Sequence, residues 1–180
     1  MSRPEVDREE SPVTLFGPPN VAKLRAKGNI DGLVRAARHK DPQVAGEARL
    51  ALEGHLDELI ERLQTKNLAH LAVARDALVL VGPPARDRLV FILEQGHLHR
   101  RQDAAFVLGM MKDPQAVEPL CLALHNPDPL LRLIVVEALG KIGDAAAADA
   151  LRRATGDVDR SVAAAAHKSL KKMGMLPREG

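Results

Sequence analysis

Tryptophan and tyrosine are absent from this 180-residue sequence, phenylalanine occurs three times and cysteine once. Each shortage removes a class of function. Aromatic cages for cations, base-stacking platforms and large aromatic interface anchors have almost no residues to build them. A single cysteine, Cys121, excludes an internal disulfide and suits a reducing compartment. No apolar run is long enough to span a bilayer, and the polar stretch from Met1 to Glu10 has no apolar segment of the kind a secretory signal needs. These absences predict a soluble cytoplasmic protein that does not engage a membrane. Charge of one sign is also lacking. The 26 Lys and Arg against 24 Asp and Glu leave a formal +2, too balanced for the basic stripe that marks most nucleic-acid-binding proteins.

What is present is alanine and leucine, which suit close helix packing, with little of the β-branched and aromatic content that strands favour. The chain also repeats itself. The segment Asn126-Pro127-Asp128-Pro129-Leu130-Leu131-Arg132 leads to Glu137-Ala138-Leu139-Gly140-Lys141-Ile142-Gly143-Asp144. Moved back by 31 residues, Arg132 falls on Arg101, Leu139 on Leu108, Gly140 on Gly109 and Asp144 on Asp113. Moved forward by 31, Leu139 falls on Leu170, Lys141 on Lys172 and Gly143 on Gly174. Asp76-Ala77-Leu78 is an earlier copy and Glu47-Ala48 the faintest. Leu59, Leu89, Leu120 and Leu151 repeat in the segments between. The register predicts about five units of about thirty residues.

Within a unit the apolar spacing is that of a helix, as in Leu131, Ile134, Val135, Ala138, Leu139 and Ile142. Asp41-Pro42, Asp113-Pro114 and Asp128-Pro129 each set a capping carboxylate before a proline suited to the first helical position. Gly54, Gly82, Gly143 and Gly174 supply stops. The pattern Asp-Pro-x-x-Arg…Glu-Ala-Leu-Gly-x-Ile-Gly-Asp resembles the short HEAT repeat known as the phycobilisome-lyase HEAT-like repeat. Pro119 matches the proline that bends that family's first helix. The resemblance runs over about residues 20–175 and implies an all-α, right-handed α-solenoid of about five HEAT-like helical hairpins. It also implies that each second helix lines the concave face. The expected organisation is a flexible tail over 1–19, one solenoid domain over 20–176 and a short tail over 177–180. Val13, Leu15 and Phe16 form an apolar island in the first tail, and Asn20 is placed to cap a lead-in helix.

Catalytic and metal chemistry find little support. His39, His97, His99 and His125 fall near turns, but ligands must converge within about 2.0–2.2 Å of a metal, whereas stacked turns stand about 8–10 Å apart. Some metal-dependent hydroxylases built of HEAT repeats use paired His-Glu dipeptides as iron ligands, and no His-Glu dipeptide occurs here. Cys121, between Leu120 and Leu122, reads as a small core residue. No nucleophile triad and no glycine-rich phosphate loop stand out. The expectation is therefore a non-catalytic chain without cofactor or metal.

Two surface features remain. Polar residues replace apolar ones between the second and third units: Arg100 and Asp103 stand where the fourth unit has Leu131 and Ile134, and His70 stands at the first of these positions in the second unit. Three apart on one helix, Arg100 and Asp103 are spaced to pair, with His70 in reach. The other feature is the concave row, which by register holds Arg75, Asp76, Val79, Gln102, Phe106, Met110, Leu133, Val136, Glu137, Lys141 and His167. Phe106 replaces an acidic residue there and, with Met110, Leu133 and Val136, forms an apolar centre rimmed by charge, as protein-binding surfaces do. The expected function is a protein–protein interaction scaffold. The resemblance implies an alternative, a bilin-lyase-like or enzyme-accessory protein acting on a phycobiliprotein-type client. Arg100, Arg101, Lys168, Lys171 and Lys172 would carry any nucleic-acid binding, although a lysine face on a last helix also serves as a soluble cap.

Overall fold

The computed structural model describes residues 17–176. The apolar island and the last four residues lie outside them. Asn20 opens α1 (Val21–Ala26) by accepting the Lys23 amide at 2.8 Å. Five hairpins follow: α2 (Ile30–Ala36) with α3 (Pro42–Glu53), α4 (Leu56–Arg62) with α5 (Leu68–Val81), α6 (Pro83–Gln95) with α7 (Leu98–Met111), α8 (Val117–Ala123) with α9 (Pro129–Ile142), and α10 (Ala148–Ala154) with α11 (Arg160–Lys172). The two helices of each pair pack together and each second helix packs on the next, which makes a right-handed α-solenoid. No strand occurs among the described residues.

The core is two columns of leucine. Leu33, Leu59, Leu89, Leu120 and Leu151 come from the first helices, and Leu52, Leu78, Leu108, Leu139 and Leu170 from the second, all at 0 % exposure. Burying one such side chain stabilises by about 1.5–3 kcal/mol. Aspartates at the helix starts hold the register. Asp41 accepts the Gln43 amide at 2.9 Å, and Asp128 accepts that of Leu131 at 2.7 Å. Counted from those caps, Ala51 and Leu52 fall on Ala138 and Leu139, and all four are buried. The first unit therefore runs three residues out of step with the match at Glu47-Ala48.

Some punctuation differs from expectation. Gly82, Gly143 and Gly174 have φ of 77°, 75° and 70°, which a side chain would resist. Gly54 ends α3 in an ordinary right-handed conformation, φ −63°. Lys112 takes the left-handed stop of α7 at φ 53°, where the next unit has Gly143. Asp113 caps a single 3-10 turn, Pro114–Ala116, and α8 begins only at Val117. Pro119 thus lies in the first turn of α8. Amides there have no helical acceptor, so the proline removes no bond and need not bend the helix.

The seams between units are unequal. A Cβ on Gly109 would lie 2.7 Å from the Ala138 Cβ, and one on Gly140 2.7 Å from the Ser169 Cβ. Small residues thus let α7 and α9, and α9 and α11, pack with their backbones close. Counting from the caps, the α5–α7 seam holds Val79 and Val107 at the same positions, and there the helices touch far less. Replacing Gly109 with valine is expected to cost about 1–3 kcal/mol by overpacking, read as a lower urea midpoint. An unchanged midpoint would mean the α7–α9 seam is looser than described.

No single helix among the described residues is long and apolar enough to cross a membrane. The pair α5 and α6 meets that length and composition only together, and it is bent by 117°.

Candidate protein-binding face

The second helices present one continuous face, and Phe106 on α7 is its centre. The guanidinium carbon of Arg75, from α5, lies 4.2 Å from the ring centroid, and the Lys141 Nζ, from α9, lies at 4.5 Å. Cations from both neighbouring helices therefore rest on one half-buried ring, each favoured by its negative face. The register explains the arrangement. Counted from the caps, Phe106 takes the place of Asp76 and Glu137, so an aromatic face receives cations where an acidic side chain would otherwise stand.

The other residues of the row divide. Met110 and Leu133 are half-buried and flank the ring's helix and the next, while Glu137 and His167 are exposed. Asp76 pairs with Arg38 at 2.9 Å. The Gln102 Nε2 donates to the Asp128 carboxylate at 3.1 Å, bracing the cap of α9. Val136 does not belong to the face. It is at 0 % exposure, and its carbonyl accepts the Ser169 hydroxyl at 3.3 Å, because α11 lies directly over it. The same place in the repeat holds half-buried Arg75 and exposed His167, so the register alone does not mark Val136 as buried.

The expected Arg100–Asp103–His70 cluster is also different. Arg100 reaches the preceding hairpin and binds Glu61 of α4 with one terminal nitrogen on both oxygens, at 2.9 and 2.8 Å. Asp103 accepts the Gln64 amide at 3.0 Å and lies 3.6 Å from Arg75. His70 is exposed, and only its backbone amide is engaged, by the Asn67 cap. Arg100 and Asp103 still point toward the previous unit, as Leu131 and Ile134 do, but across the wide valine seam, where polar partners from the neighbouring hairpin outcompete an intrahelical pair. Burial raises the Asp103 carboxyl above its usual range, against the lowering pull of Arg75 and Gln64. The Arg75 Nε is buried without a hydrogen-bond partner, its guanidinium being shared between Asp103 and the Phe106 ring.

Lys141 also borders a groove of about 250 Å³ between α9 and α11, with Lys168 and Lys172 on its far side, Gly140 and Ala165 in its floor and Glu137 at its rim. The sequence register had already matched Lys141 to Lys172, and the close α9–α11 seam turns that repetition into one basic groove. Elsewhere, Cys121 is half-buried rather than fully buried. It lines a smaller hollow of about 180 Å³, and burial pushes its thiol up, away from the reactive thiolate. Among the described residues no three His, Cys, Asp or Glu side chains are gathered as a metal would require.

A stack of helical hairpins whose second helices form one fixed face defines a helical-repeat solenoid. Residues 87–171 match the family model for HEAT repeats, and that part of the chain is built of HEAT repeats. Over 103 residues it is 32 % identical to deoxyhypusine hydroxylase from Gallus gallus, a match covering 56 % of this chain and 34 % of that one. The chain thus spans about a third of the curated relative's length. Among solved structures it is similar to human deoxyhypusine hydroxylase in complex with glycerol, at 22 % identity and TM-score 0.55 over 85 % of this chain and 65 % of that one. It is also similar to the complex of CpcE and CpcF of phycocyanin lyase from Nostoc sp. PCC7120, at 21 % identity and TM-score 0.52 over 97 % of this chain and 71 % of that one. At such identities the likeness is one of fold.

Proposed function

We propose that this chain is a non-catalytic scaffold that binds a protein partner on the concave face of its second helices, with Phe106 as the anchor and residues 20–176 acting as one unit. The observation that carries the reading is the ring of Phe106 held between Arg75 and Lys141, beside half-buried Met110 and Leu133. An aromatic side chain fixed in this way loses little freedom when a partner covers it, and a stacked solenoid presents the surrounding surface already ordered. Arginine and aromatic residues are also the side chains that dominate interface energetics.

The test is affinity capture from native lysate with the wild type and Phe106→Glu. The variant is expected to fold, since Asp76 and Glu137 occupy the same repeat position and the new carboxylate would meet Arg75 and Lys141. A partner captured by the wild type and lost by the variant supports the reading. Partners that survive the substitution sink it.

A further inference from the structure

The geometry points to an acidic protein segment as the occupant of the groove between α9 and α11, an inference that rests on the binding reading above and names the chemistry of the partner. Lys141, Lys168 and Lys172 converge on the groove from both helices. The ion pairs among the described residues are made by arginines and His55, and lysines make none. Among the described residues none of the three groove lysines has a carboxylate within ion-pair distance, although Glu137 borders the same groove. Lys141 rests on the Phe106 ring, and with Lys168 and Lys172 around Gly140 and Ala165 it leaves a place that is narrow, basic and free of bulk.

The spacing suits a polypeptide. Lys168 and Lys172 are one helical turn apart, about 5–6 Å between Cβ atoms, close to the repeat of alternate side chains on an extended segment at about 6.6 Å. Carboxylates at alternate positions can therefore meet both lysines. Lys141 joins the groove to the Phe106 ring, so an apolar side chain further along the same segment can reach Phe106 and Leu133. A nucleic-acid strand fits less well. Its phosphates carry charge at every nucleotide with no apolar position between them, one of them would face Glu137, and among the described residues Phe106 is the one aromatic on the second helices.

The experiment measures binding of a short fluorescein-labelled peptide alternating glutamate with leucine, by anisotropy, to the full chain and to Lys168→Glu/Lys172→Glu. Both lysines are exposed, so the variant should keep its helical signal and melting temperature. The inference expects saturable binding and a Kd raised about tenfold or more by the charge reversal. It is overturned if the wild type does not bind the peptide, if the reversal leaves the Kd unchanged, or if an oligothymidine of equal length binds more tightly. It also fails if a lysate partner lost by Phe106→Glu is retained by Lys168→Glu/Lys172→Glu. That outcome would leave the scaffold reading standing without its acidic segment.

Discussion

Ala138→Asp is expected to abolish the cooperative thermal transition, or to lower it so far that little folded protein remains at room temperature. Ala138 is 1 % exposed, and its Cβ faces Gly109 across a seam with no room for another atom. A carboxylate there would be desolvated, with the α7 backbone against it. An unpaired buried charge combined with overpacking costs about 4–5 kcal/mol or more, the upper tail of single substitutions. Since small domains hold only about 5–15 kcal/mol in all, that is most of the margin. The neighbouring Glu137 is exposed, and Glu137→Ala should move the melt little. Circular dichroism melts of the two variants read the contrast directly. Equal melts would mean that the helix face assigned to α9 is rotated.

The second large effect belongs to Arg132. Its guanidinium binds Asp157 in the next unit through two parallel contacts of 2.8 Å and donates to the Asn126 and Pro127 carbonyls at 2.9 Å. The two side chains are 11 % and 12 % exposed. One residue thus ties α9 to the turn before it and to the turn after α10. Arg132→Ala leaves a nearly buried carboxylate and two carbonyls without their donor, and loss of one member of such a pair costs about 3–5 kcal/mol. The effect has a pH signature. Arg132 holds the Asp157 carboxyl below its usual range, so the folded state binds that proton less readily than the unfolded chain. The resulting stability is present above the ordinary carboxylate value, about pH 3.9, and is lost as pH falls through the lowered folded value. Urea titrations should therefore show a large gap between wild type and Arg132→Ala at neutral pH that narrows below about pH 4. A gap that stays constant into acid would assign the arginine's contribution to packing and carbonyl bonds alone.

The architecture was legible because a repeat states its pattern several times. Aspartate caps, left-handed glycines and paired leucines recur at one spacing, so noise in one unit is corrected by the others. The exceptions lie where a unit departs from its siblings. In the first unit the chance similarity at Glu47-Ala48 competes with the cap at Asp41, and the cap gives the register of the fold. Val136 reads as surface in the sequence because its repeat position is occupied by charged or exposed residues elsewhere, as at Arg75 and His167, and only the close α9–α11 seam buries it. Sequence pairs Arg100 with Asp103 because it shows intrahelical neighbours and conceals Glu61 and Gln64 across the valine seam. The placement of Phe106 between Arg75 and Lys141 was only half visible: the register put all three in one row, while the contact depends on helix spacing that no single-chain pattern encodes.

Hydroxyl-radical footprinting of the chain with and without its captured partner tests the central claim most directly, because phenylalanine, methionine and leucine report their own solvent access. The account predicts protection of Phe106, Met110 and Leu133 on the second helices, with Phe91 and Leu122, exposed by 59 % and 63 % on α6 and α8, unchanged. Protection of Phe91 and Leu122 with Phe106 unaltered would place the partner on the first helices and contradict it.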